Sequence, residues 1–156
     1  MKVDSHVRKW HRFDSIRSRF EPQDEFELWY WATLSGGTAL INAALHLAKV
    51  TEENDLFATQ IPDVYATNDG PLFSRHVIGL RCDLIHVGLP EIDGALPADI
   101  QCAFDAMHVI EQYRDPCVRS DFSVTAQVVS DCERSYLELV NAIADRAGVT
   151  DRRATG

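Results

Sequence analysis

A chain of 156 residues, 46% hydrophobic and 25% charged, is long enough to bury one substantial core and too short to expect two domains. Its net charge of −9 argues against broad binding to a nucleic-acid backbone, with the basic N-terminal arm as the exception. The best apolar run, Leu34 to Val50, is interrupted by Asn42 and His46 and is too short for a bilayer; with no apolar leader at the start, a cytoplasmic protein without a membrane partner is expected.

The charge is uneven. Residues 1–19 carry six bases against two acids, while residues 20–150 carry seven bases against twenty-one acids. The basic arm, residues 1–21, reads as a solvated surface segment, with a short amphipathic helix over residues 5–20 carrying Trp10, Phe13, Ile16 and Phe20. Four helices follow over 22–147, and 148–156 reads as a frayed tail, all within one domain. The first helix spans about Asp24 to Glu53, with Pro22 ahead and Asp24, Glu25 and Glu27 at its positive end. Its Trp29-Tyr30-Trp31 cluster cannot face one core entirely, and Gly36-Gly37 predict a close helix crossing or a kink. Next comes a loop, TQIPDVYATNDGP, dense in turn residues. The second helix runs from Pro71 to Gly88. Pro97 opens the third, which Asp115-Pro116 closes. Ser120 or Asp121 caps the fourth, whose stripe is Val124, Val128, Cys132, Leu139 and Ile143. Strand signals are thin. The expected fold is all-α: an up-and-down four-helix bundle with a short N-terminal helical addition.

On the second helix, Phe73, Val77, Leu80, Leu84 and Val87 form the core stripe. Ile78, Arg81 and Ile85 form a second stripe, which needs cover from the N-terminal addition, the Ile61 loop or a second subunit; a twofold homodimer is the favoured cover. Arg81-Cys82-Asp83-Leu84-Ile85-His86, followed by Val87-Gly88, resembles the R-x4–6-H motif of HEPN domains. That resemblance implies a small, usually dimeric helical bundle. Many such domains are metal-independent ribonucleases, toxins or antiviral effectors, often paired with a nucleotidyltransferase-type antitoxin. It would make RNA the substrate, His86 a proton-transfer residue and Arg81 a stabiliser of phosphorane charge, facing their mates across the dimer. Cys82 stands where active members usually carry Asn, Asp or His.

Two D-x-x-H pairs, Asp83/His86 and Asp105/His108, place each carboxylate and imidazole on one helical face, with His76 close to Asp83 around the helix. Two such pairs on packed helices could hold a metal as E-x-x-H pairs do in di-iron bundles, but those use Glu rather than Asp and also need acids that the middle of the first helix lacks. Asp105 and His108 lie opposite the stripe of Ile100, Ala103, Phe104 and Met107, so solvent is their simpler destination. The cysteines Cys82, Cys102, Cys117 and Cys132 have no CxxC spacing and read as buried thiols. No P-loop, dinucleotide fingerprint or nucleophile elbow appears, and neither a cofactor nor a metal is favoured. The sequence therefore favours a non-catalytic homodimeric interaction or regulatory module. A HEPN-type ribonuclease and a metal- or small-ligand-binding bundle are the alternatives.

Overall fold

Apolar spacing at helical period builds the longer helices. The computed structural model describes residues 1–55, 57–58, 64–68, 73–77, 83–84, 92 and 94–149. Among these, the elements in chain order are α1 (Val3–Arg17), α2 (Phe26–Leu47), β1 (Phe57–Ala58), β2 (Val64–Asn68), β3 (Phe73–Val77), α3 (Ala98–Glu111), α4 (Arg114–Val118) and α5 (Ala126–Ala147). α1 packs on α2, α3 packs on α5, and α2 touches both α3 and α5, so the four longer helices share one core. No helix among the described residues is long and apolar enough to cross a membrane.

The helix expected from Pro71 to Gly88 is not formed at its start. Phe73–Val77 is a strand, paired antiparallel with Val64–Asn68 in the register Val64↔Val77 to Asn68↔Phe73. β1 adds on the far side of β2, giving the order β1-β2-β3. The physical reason is legible afterwards: Val64, Tyr65 and Thr67 are good strand formers, and Asn68-Asp69-Gly70-Pro71 is turn chemistry placed to join two strands. Asp83 and Leu84 are also outside any helix, so helical spacing does not govern what Asp83 meets.

The basic arm forms the expected amphipathic helix, but that helix is packed onto α2 rather than lying as a solvated segment. α1 buries His6, Trp10 and Arg17, while Lys2, Arg8, Arg12 and Arg19 stay exposed. Trp10 donates from Nε1 to the Tyr136 hydroxyl of α5 at 3.1 Å. Gly36 lets that hydroxyl approach α2: a Cβ there would lie 2.9 Å from it. At Gly37 a Cβ would meet Met107 Cε at 2.5 Å. The glycine pair thus marks close crossings of α2 with α5 and α3. Trp29 and Tyr30 are buried and Trp31 is exposed, as three consecutive aromatics on a helix require.

Helix ends explain two further departures. Pro116 does not stop α3, which ends at Glu111; it sits in the first turn of α4, where its missing N–H is no loss. Thr125, not Ser120 or Asp121, caps α5, its hydroxyl accepting from Val128 N–H at 3.3 Å. Val128, Cys132, Leu139 and Ile143 are all buried, as the stripe predicts. Among the cysteines, Cys132 is buried, with its thiol pKa pushed up to about 12 by that burial, but Cys117 is half-buried and Cys102 is exposed.

α2 and α5 finish in the same way. At α2, Val50 N–H reaches back to Leu45 O at 3.0 Å and Lys49 N–H to His46 O at 3.0 Å. At α5, Val149 N–H reaches Ala144 O and Gly148 N–H reaches Asp145 O. Both are Schellman turns, which need one left-handed residue. α5 uses Gly148 (φ 64°), whereas α2 uses Lys49 (φ 57°). A side chain in that region costs about 1–2 kcal/mol, partly offset by the greater freedom of glycine in the unfolded chain. Lys49→Gly is therefore expected to stabilise the protein by about 0.5–1 kcal/mol. Urea denaturation should show a raised midpoint at unchanged slope, and a lowered midpoint would contradict this account of the turn.

Candidate metal centre

The α2 turn also builds a site. Asn42 and His46 are one helical turn apart on α2, two polar side chains in an otherwise apolar stretch. Asn42 grips the backbone of Leu84 from both sides: its Nδ2 donates to Leu84 O at 2.8 Å, and its Oδ1 accepts from Leu84 N–H at 2.7 Å. That contact lays residues 83–84 along α2 and aims the Asp83 carboxylate at His46. His46 Nε2 lies 2.9 Å from Asp83 Oδ1. From α1, His6 Nε2 lies 3.0 Å from the same oxygen. The Met1 amino group stands 2.7 Å from both carboxylate oxygens. The two imidazole rings are tilted, with centroids 5.2 Å apart.

The group is shielded from water. The side chains of His6, His46 and Asp83 are 3%, 0% and 7% exposed. Burial alone would raise the Asp83 pKa, but the hydrogen bonds from His46 and His6 and the nearby positive charge outweigh it and hold the carboxyl far below its usual range. Burial lowers the His6 pKa, against the pull of the Asp83 hydrogen bond and charge. The second imidazole nitrogens differ. His46 Nδ1 meets Thr51 Oγ1 at 2.7 Å, because the Schellman turn folds Thr51 back onto the helix end. His6 Nδ1 is buried and has no hydrogen-bond partner among the described residues.

Among the described residues, His6, His46 and Asp83 form one group able to hold a metal ion, each offering a ligand atom within 4.8 Å of the others. Hydroxyl, imidazole and carboxylate also line up from Thr51 through His46 to Asp83, the order used in nucleophilic relays. Thr51 is only 5% exposed and its hydroxyl faces the imidazole, so it presents no nucleophile to solvent.

The residues singled out by sequence fare differently. Arg81, Cys82 and His86 lie outside the described residues, as do Ile78 and Ile85 of the second stripe. Asp83 belongs to the centre, but its partners are His6 and His46. Asp105 and His108 are exposed on α3, and Asp105 accepts from Gln101 Nε2 at 2.9 Å. His76 lies in β3, opposite Tyr65. No family model, curated protein or solved structure matches this chain.

A second buried polar cluster joins α1 to α5. Arg17, 3% exposed, makes a bidentate pair with Glu133 and lies 4.2 Å above the Tyr136 ring and 5.7 Å from the Trp29 ring. Its neighbours are packed aromatic side chains rather than a convergent set of ligands.

Proposed function

We propose that this chain is a metal-binding helical protein in which His6, His46 and Asp83 hold one divalent first-row transition ion. The observation that carries the reading is the meeting of three ligand atoms, mutually within 4.8 Å, from α1, α2 and the 83–84 segment in buried surroundings. Two imidazoles and one carboxylate suit zinc or iron(II); calcium and magnesium prefer oxygen alone. The Nε2–Oδ1 distances of 3.0 and 2.9 Å are those of hydrogen bonds. Ligand atoms bound tetrahedrally at about 2.0–2.1 Å stand about 3.3 Å apart, so each Nε2–Oδ1 pair would open by roughly a few tenths of an ångström, and the Met1 amino group, 2.7 Å from both carboxylate oxygens, would give way to the ion. Three protein ligands leave a further position for water. An ion held this way ties three chain segments together, and binding only to the folded chain is folding free energy.

The test is zinc retention. After loading and exhaustive dialysis, elemental analysis should find about one zinc per wild-type chain. His46→Ala should retain almost none. An empty wild-type chain, or equal retention by the variant, removes the reading.

A further inference from the structure

We infer that Thr51 is a positioning residue of the metal centre: its hydroxyl fixes the His46 ring so that Nε2 faces the ion. The inference rests on the metal-binding reading above and assigns a second layer to it. An imidazole that ligates through Nε2 carries its proton on Nδ1, and that N–H needs an acceptor. Thr51 Oγ1 lies 2.7 Å from His46 Nδ1, and both groups are buried, so water does not compete for the contact. A hydroxyl both donates and accepts, so it matches Nδ1 whether that atom bears the proton or a lone pair. The same contact therefore serves the ion-free cluster, in which Nε2 donates to Asp83, and the loaded one, in which the proton sits on Nδ1.

The local fold makes this placement specific. Thr51 follows the Schellman turn of α2, whose backbone bonds run from Val50 to Leu45 and from Lys49 to His46. The helix end that carries the ligand thus also delivers its partner. One turn earlier, Asn42 grips Leu84 and brings Asp83 to the same spot. Among the described residues, His6 Nδ1 has no matching partner, so His46 is the ligand whose ring a second side chain positions.

The experiment compares zinc affinity by competition with a chromophoric chelator for wild type, Thr51→Val and Thr51→Ser. Loss of such an outer partner lowers metal affinity about 10–100-fold. Thr51→Val should fall in that range, and Thr51→Ser, which keeps the hydroxyl, should stay within about threefold of wild type. A merely structural role for Thr51 would not be rescued by the smaller serine. Zinc binding by Thr51→Val equal to wild type overturns the inference while leaving the metal reading intact. Failure of wild type itself to bind zinc overturns the metal reading, and this one with it. Should Thr51→Val lose its helical circular dichroism, the long-range 1H–15N spectrum of zinc-loaded wild type decides instead. His46 must then show a protonated Nδ1 and a zinc-shifted Nε2, and zinc on Nδ1 refutes the assignment.

Discussion

Asp83→Ala is expected to destabilise the protein by about 3–5 kcal/mol even with all metal removed, because breaking a buried charged group away from its partners leaves those partners uncompensated. Asp83 is 7% exposed, and its Oδ1 accepts from both His6 and His46. Without it, two imidazole N–H groups in the interior and the Met1 amino group lose this acceptor, while the 83–84 segment keeps the Asn42 clamp and the packing of Leu84 on the core. For a chain of this size the melting temperature should fall by roughly 6–20 °C. Zinc should widen the gap. An ion present at about 100 times its dissociation constant adds about 2.7 kcal/mol to a folded state that binds it, and nothing to a variant that does not. Thermal melts of both proteins, with EDTA and with zinc, separate the two contributions. A variant that melts within about 2 °C of wild type in EDTA would mean that the carboxylate is a bystander.

Arg17→Ala is expected to lower stability by about 2–3 kcal/mol, mainly through lost aromatic contact rather than lost charge pairing. The guanidinium lies over Tyr136 at 4.2 Å and near Trp29 at 5.7 Å, and both rings are buried. A desolvated cation on an aromatic face is worth about 2 kcal/mol. The Glu133 carboxylate, 38% exposed, is hydrated enough that the ion pair adds at most about 1 kcal/mol. Arg17→Lys should recover less than half of the loss, because an ammonium neither stacks on Tyr136 nor pairs with Glu133 through two bonds. Urea unfolding of the two variants checks the order, and full recovery by lysine would put the stabilisation in charge alone.

α1, α2, α3 and α5 were legible because each carries apolar residues at helical spacing, whereas the five-residue α4 carries no such stripe. α5 buries Val128, Cys132, Leu139 and Ile143 as its stripe predicts, and α3 turns Asp105 and His108 outward opposite Ile100, Ala103, Phe104 and Met107. Phe73–Val77 misled because its two apolar residues, Phe73 and Val77, are four positions apart and share a face in a helix or a strand alike, and the turn-forming sequence Asn68-Asp69-Gly70-Pro71 is the better discriminator. The centre was half legible. Asp83 stood out, but local spacing pointed to His86, whereas its observed partners lie 77 and 37 positions away. Contacts that distant depend on how α1 and α2 pack, which periodicity does not report. The usable signal was Asn42 and His46, two polar residues one turn apart in the most apolar helix. His6 offered less: its place one turn before Trp10 on the buried face of α1.

X-ray absorption at the zinc edge of the loaded wild-type chain tests the central claim most directly. The account predicts a shell of nitrogen and oxygen at about 2.0–2.1 Å with the outer scattering of two imidazole rings, reduced to one ring in His6→Ala. A shell of oxygen alone, without imidazole scattering, would contradict it.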